Sequence, residues 1–234
     1  MALPTIHYPL YHTKVPTTNE NVTFRPYNTG EEKALLIAAE TGDEKSKVTT
    51  LKSIIKSCVE GDLDVNDMAS VDIEYLFIQI RSKAKGEIVE LVMKCDETCT
   101  DYEKSSIDVE IDLSKIVVEM DEKFEKNIKL SDKLGIVMKY PSADVVSNAK
   151  ELSDEEIVIK CIDYIYDTDQ VWVGKDTADA ELSLFVRSLL PEQTKKVLEF
   201  FYVIPTLKCD FSYKCNVCGK VHERTISGFS NFFI

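Results

Sequence analysis

The strongest chemical signal in the chain is Lys214-Cys215-Asn216-Val217-Cys218-Gly219-Lys220, set between the strand-like runs Lys208 to Tyr213 and Val221 to Ile226. A Cys-x-x-Cys turn at a hairpin tip, with Gly219 relaxing the backbone after the second Cys, suits two thiolates that share one metal ion. It is half of a zinc ribbon. Tetrahedral zinc holds its sulfurs at ~2.3 Å and so keeps them about 4 Å from one another. That spacing decides which residues are able to complete the site. Cys209 lies on the run leading into Cys215, and at a rise of ~3.3 Å per residue a regular strand carries it roughly 20 Å away. Only a sharp bend brings it in. His222 follows Cys218 and ligates if the chain curls into a short knuckle, whereas an outgoing strand removes it.

Cys95 and Cys99 lie between two other strand-like runs, so a second cysteine-bearing tip facing the first completes a four-thiolate set. The preferred ligands of a structural Zn2+ are therefore Cys95, Cys99, Cys215 and Cys218, ahead of a set completed by Cys209 and His222. The bland alternative is that these are ordinary reduced cysteines. A redox role fits less well, because Cys215 does not open a helix after a strand as in thioredoxin-like sites.

The elements that must position these residues are legible from periodicity. Ile6 to Tyr11 and Val22 to Arg25 flank a turn-rich segment and predict a hairpin. Thr29 and Glu32 have capping-box spacing before Ala34 to Ala39, with Gly42 as the stop. Val48, Leu51, Ile55, Cys58 and Val59 recur at helical spacing ahead of Gly61, and Ile73, Leu76, Phe77 and Ile80 mark a helix from Asp72 to Ala84 closed by Gly86. After Gly86, Val89, Leu91 and Met93 alternate with polar neighbours, as do Ile107, Val109, Ile111 and Leu113, which predicts two antiparallel strands. The charge-rich Glu119 to Lys126 reads as a solvated connection and Leu134 to Tyr140 as a strand ended by Pro141. Ser153 and Glu156 form a capping box ahead of an apolar face running from Ile157 through Cys161 to Ile165. Asp176 is expected to cap a helix burying Leu182, Phe185, Val186 and Leu189. Pro191 opens another that Pro205 prevents from continuing.

The fold class that follows is α+β: an N-terminal β-hairpin, a helical core, and antiparallel β-hairpins carrying the zinc-ribbon-like site. The expected segments are 1–86 (hairpin and three helices), 87–150 (β-rich, with the first cysteine pair), 151–205 (helical) and 206–234 (cysteine hairpin and aromatic tail). They are read as one integrated domain with a small cysteine subdomain.

Composition narrows the function. Lys plus Arg number 28 against 41 Asp plus Glu, a formal charge of −13. That balance repels phosphate and anionic lipid, so nucleic acid and membrane surfaces are not expected partners; proteins are, and a homo-oligomer is compatible. No apolar run approaches the ~20 residues that cross a bilayer, and the start MALPTIHYPLY lacks the pattern of a signal peptide, so synthesis in the cytoplasm is expected. Seven cysteines, an odd number at uneven spacings, favour reduced thiols or metal ligands over a disulfide framework. His7 and His12 have no nearby nucleophile to activate. Gly174-Lys175-Asp176-Thr177 lacks the earlier glycine of a phosphate loop and has Asp where the hydroxyl belongs, so it reads as a turn and helix cap. No catalytic residue is assigned, and an enzyme built on the cysteines stands as the second class. The apolar end Gly228-Phe229-Ser230-Asn231-Phe232-Phe233-Ile234 reads either as folded back on its own domain or as an anchor in a partner.

Several segments in order resemble the T4-type phage baseplate hub and hub-assembly family. They are Ala2-Leu3-Pro4, Phe24-Arg25-Pro26 ahead of Glu31-Glu32-Lys33-Ala34-Leu35-Leu36, Asp72-Ile73-Glu74-Tyr75-Leu76-Phe77, Arg81-Ser82-Lys83-Ala84-Lys85-Gly86-Glu87, Ile111-Asp112-Leu113-Ser114-Lys115-Ile116, the Tyr213 to Gly219 turn and the closing Gly228-Phe229-Ser230-Asn231-Phe232-Phe233. The resemblance implies a non-enzymatic role in building the central hub of a contractile tail, with the tape-measure protein and other hub proteins as partners. It implies a host-cytoplasmic stage during assembly and leaves two variants open: a component retained in the virion, or a chaperone that departs.

Overall fold

The computed structural model describes residues 6–96, 98–120 and 125–227. Strands β1 (Tyr11–Lys14) and β2 (Asn21–Phe24) form the opening antiparallel hairpin. Its first strand starts later than Ile6, because Ile6 to Leu10 lie exposed and unpaired with β2, while Val15 turns inward. Helix α1 (Thr29–Thr41) is capped by Asn28 and Glu31, one residue before the Thr29/Glu32 pair that the sequence suggested. Asn is as good a cap as Thr, and the Asn28 oxygen accepts from both Gly30 and Glu31 N–H groups. Gly42 ends α1 in the left-handed conformation that a Cβ would disfavour. Helices α2 (Glu44–Cys58) and α3 (Ser70–Lys85) pack Leu51, Ile55, Leu76 and Ile80 against Phe24 of the hairpin, forming the first core.

From α3 the chain enters β3 (Ile88–Met93) and returns through β4 (Ile107–Asp112), paired antiparallel in the expected register of alternation. The next strand, β5 (Val117–Glu119), and β6 (Asn127–Lys129) were not predicted, being only three residues each. Residues 121–124 of the expected connection lie outside the described residues. Strand β7 (Gly135–Met138) sits beside β6 and beside β8 (Ile162–Tyr166), which in turn pairs with β9 (Val171–Val173) in a four-stranded antiparallel sheet.

Between β7 and β8 lie α4 (Ala143–Ser147) and α5 (Asp154–Lys160), the latter opened by the Ser153/Glu156 capping box. The expected continuation of this helix to Ile165 is wrong. Cys161 is its C-cap, and Ile162 to Tyr166 form β8, because a run rich in β-branched and aromatic residues next to strands β7 and β9 gains more as a sheet than as a helical turn. Asp176 likewise caps no helix. It closes a single tight turn, Gly174–Asp176, and α6 (Asp179–Arg187) starts after Ala178 without a side-chain cap. Pro191 opens α7 (Pro191–Glu199) as expected, and a short 3-10 turn over Phe200–Tyr202 ends it before Pro205. These helices close a second core around Ile136, Met138, Cys161, Ile162 and Phe200.

The chain then runs into β10 (Thr206–Lys214) and back through β11 (Val221–Ser227), with β5 on the other edge of β10. Leu207 and Cys209 on β10 join Ile78 of α3 and Ile111 of β4 in a third core. That core fixes both hairpins, β3–β4 and β10–β11, relative to the same helix.

Glu74 is 9% exposed on α3, where its carboxylate accepts from the Ser70 hydroxyl at 2.9 Å. Burial pushes its pKa up to about 7, with the Ser70 bond opposing. The folded value lies above the unfolded one, so its stabilising contribution is full below about pH 4 and is lost as pH rises to about 7. Glu74→Gln is therefore expected to match the parent chain at acidic pH. At pH 8 it should be more stable, by at most about 3 kcal/mol. Urea titrations at both pH values check this, and a variant less stable than the parent at pH 8 contradicts it.

Candidate metal centre

The two hairpins meet tip to tip. The first tip is the segment between β3 and β4, where Cys99 N–H donates to the Asp96 carbonyl at 3.0 Å and Cys95 N–H to the Ser105 hydroxyl at 3.2 Å. Ser105 is fully buried and its hydroxyl donates a hydrogen bond to the Tyr102 carbonyl at 2.6 Å, so the loop is held from within. The second tip lies between β10 and β11. Cys215 N–H donates to the Lys220 carbonyl at 2.8 Å and Gly219 N–H to the Cys215 carbonyl at 3.0 Å, closing a turn whose Gly219 has φ 76°. That left-handed φ is where glycine is favoured.

Cross-links between the tips are polar. The Tyr213 hydroxyl donates to the Lys94 carbonyl at 2.9 Å, the Asn216 amide reaches the Ser106 carbonyl at 3.4 Å, and Lys220 pairs with Asp96. Inside them lie Cys95, Cys99, Cys215 and Cys218, with all four sulfurs within 4.8 Å of one another. Cys95 and Cys218 sulfurs are 3.7 Å apart, Cys99 and Cys215 sulfurs 3.8 Å. These are the edge lengths of a thiolate tetrahedron built on ~2.3 Å bonds to a central ion, and they far exceed the ~2.05 Å of a disulfide. Cys95, Cys99 and Cys215 are buried while Cys218 faces solvent.

The thiols are electrostatically unequal. Backbone N–H groups of Cys218 and Val217, at 3.5 and 3.4 Å from the Cys215 sulfur, draw that thiol down to about 6 against the effect of burial. Burial, reinforced by the Cys218 and Cys215 sulfurs, pushes Cys95 up to about 12. Four such groups so close together do not all ionise unless a cation takes up the charge. As a donor set, four clustered thiols fit a soft, tetrahedral divalent ion.

The other sequence candidates fall elsewhere. Cys209 stays on a regular β10 and packs into the third core, away from the quartet, as the strand rise requires. His222 pairs across from Tyr213 on β11 and is not one of the clustered donors. Its Nε2 instead lies 3.1 Å from the Cys95 sulfur, a hydrogen-bonding role that spacing arguments about ligands did not suggest. Cys58 and Cys161 are buried in the first and second cores, where burial raises their thiols to about 11 and about 12. His7 is exposed, and the exposed His12 bonds the Thr23 hydroxyl. The aromatic segment 228–234 lies outside the described residues. Among the described residues no helix is long and apolar enough to cross a membrane.

This is an α+β protein in which two antiparallel hairpins, fixed to one helix, bring a cysteine cluster together at their tips. Over residues 8–234 the chain matches the family model described as T4 bacteriophage base plate protein, and it belongs to that family of phage baseplate structural proteins. No curated protein and no solved structure was found to match it.

Proposed function

We propose that this protein is a non-enzymatic component of the baseplate hub of a contractile phage tail, binding other hub proteins and the tape-measure protein. In this reading one structural Zn2+ held by Cys95, Cys99, Cys215 and Cys218 stiffens its hairpin tips. The observation that carries the reading is the baseplate family match across residues 8–234. The chemistry agrees with it. Four thiolates saturate a tetrahedral ion and leave no open position for a substrate or activated water. Several other charged groups are engaged in structure: Asp72 accepts from Thr17, Asp67 pairs with Lys139 at 2.7 Å, and Glu155 with Arg187 at 2.9 Å. Apolar side chains on the outside, among them Trp172 on β9 and Leu198 and Tyr202 at the end of α7, supply surface of the kind protein partners cover. The charge of −13 points away from nucleic acid.

Crosslinking mass spectrometry on protein purified from infected cells tests the assignment. Crosslinks to hub or tape-measure proteins are expected, and a crosslink map confined to peripheral baseplate or non-tail proteins contradicts it. Its presence in mature particles distinguishes a retained component from a chaperone that leaves after assembly.

A further inference from the structure

We propose that His222 is a positioning residue of the cysteine centre: its Nε2–H donates to the Cys95 sulfur and orients that thiolate without coordinating the ion. The inference rests on the zinc reading above and adds to it a residue that supplies no ligand atom.

The geometry is specific. His222 is 6% exposed and its Nε2 lies 3.1 Å from the Cys95 sulfur. A metal-bound thiolate only accepts, so this contact places the imidazole proton on Nε2. The ring is stacked on Tyr213, centroids 5.0 Å apart and planes 20° from parallel. Tyr213 in turn donates its hydroxyl to the Lys94 carbonyl, the residue before Cys95. Two neighbouring side chains of the β10–β11 hairpin thus grip Lys94 and Cys95 of the other tip, one through the backbone and one through the sulfur.

The distribution of donors over the quartet explains why Cys95 takes this one. Cys215 has two backbone N–H groups aimed at its sulfur, Cys99 has the Asp101 backbone N–H, and Cys218 is open to water. Cys95 has the Asp96 backbone N–H but is buried against the other sulfurs, so its negative charge is costly there unless a side-chain donor also shares it. Direct ligation by His222 would need Nε2 at ~2.0–2.1 Å from an ion already surrounded by four sulfurs. The clustered donor atoms do not include it.

The test compares zinc binding by the full-length chain with His222→Phe, which keeps an aromatic ring for the Tyr213 stack, and His222→Gln, which restores an amide N–H. Chelator competition is expected to show affinity falling by about 10–100-fold in the Phe variant and recovering at least partly in the Gln variant. Cobalt substituted for zinc should give an all-sulfur spectrum in both parent and Phe chains. A Phe variant within about threefold of the parent overturns the inference. So does a nitrogen ligand visible in the parent cobalt spectrum and lost in the variant. Should the Phe variant not fold, nitrogen-15 spectra of the zinc-loaded parent still decide: a protonated Nε2 is expected, and a bare Nε2 overturns it. A parent chain that takes up no zinc overturns the metal reading itself, whereas a parent with one zinc and an unaffected Phe variant overturns only the role of His222.

Discussion

Cys215→Ser is expected to weaken zinc binding by roughly two to three orders of magnitude and to release the two hairpin tips from one another. A structural zinc contributes about 10–16 kcal/mol at neutral pH, so one of four thiolates accounts for about 2.5–4 kcal/mol of it. Cys215 is the thiol whose ionisation the fold already favours, through the N–H groups of Cys218 and Val217, and a serine hydroxyl does not replace it. Apolar packing at the tips is slight, with Cys95, Cys99 and Cys215 as the buried members and Ile107 as the partly buried apolar neighbour, so besides the metal only the polar bonds of Tyr213, Asn216, Lys220 and His222 join the two tips. The damage should therefore stay local. Hydrogen exchange is expected to accelerate over 94–106 and 215–221 while α3, anchored by Leu76 and Ile80 in the first core, keeps its protection. Cys209→Ser serves as the control, because Cys209 packs in the third core and its loss should leave zinc in place. Equal zinc loss in both variants would show that the quartet is not the site.

The largest effect on global stability is expected from Phe200→Ala, about 3–5 kcal/mol by chemical denaturation. Phe200 is fully buried where the turn after α7 meets the four-stranded sheet. Its ring stacks on Tyr140 at 5.7 Å and meets Phe201 edge-on at 5.2 Å, contacts worth about 0.5–1.5 kcal/mol per pair beyond their buried area. The cavity would open among Ile136, Met138, Ile162 and Val197, residues of strands and helix that have little freedom to close in. Phe200→Leu should recover part of the loss. A cost below about 1 kcal/mol for the alanine variant would mean that the second core does not depend on this ring.

The cysteine site was legible in the sequence because its argument is one of distance. A Cys-x-x-Cys between two alternating runs has few conformations and strand rise disfavours Cys209, so the tip between Met93 and Ile107 was preferred for two more sulfurs, with a set completed by Cys209 and His222 as the alternative. What the sequence did not disclose was His222 as a hydrogen-bond donor to Cys95, since that depends on how two remote hairpins face each other. The helices with clean periodicity, α2 and α3, were visible for the same local reason. The errors fell where two periods fit one run. Ile157 to Ile165 satisfies a helical face, yet Cys161 ends the helix and the following residues pair with β7 and β9, a choice made by tertiary contacts and not by propensity. Strands β5 and β6 are short and owe their form to the neighbours β10 and β7, so no local pattern announces them. The family resemblance came from ordered segments spread along the chain, and the match over 8–234 establishes it at the level of the baseplate. The hub role is a proposal beyond that result.

Native mass spectrometry of the intact chain, with metal content measured in parallel, weighs the central claim most directly. A single zinc on each parent molecule, absent once Cys95 and Cys99 are both serine, is the outcome the tip-to-tip clamp requires. A parent free of metal, or a double variant that still carries zinc, would contradict it.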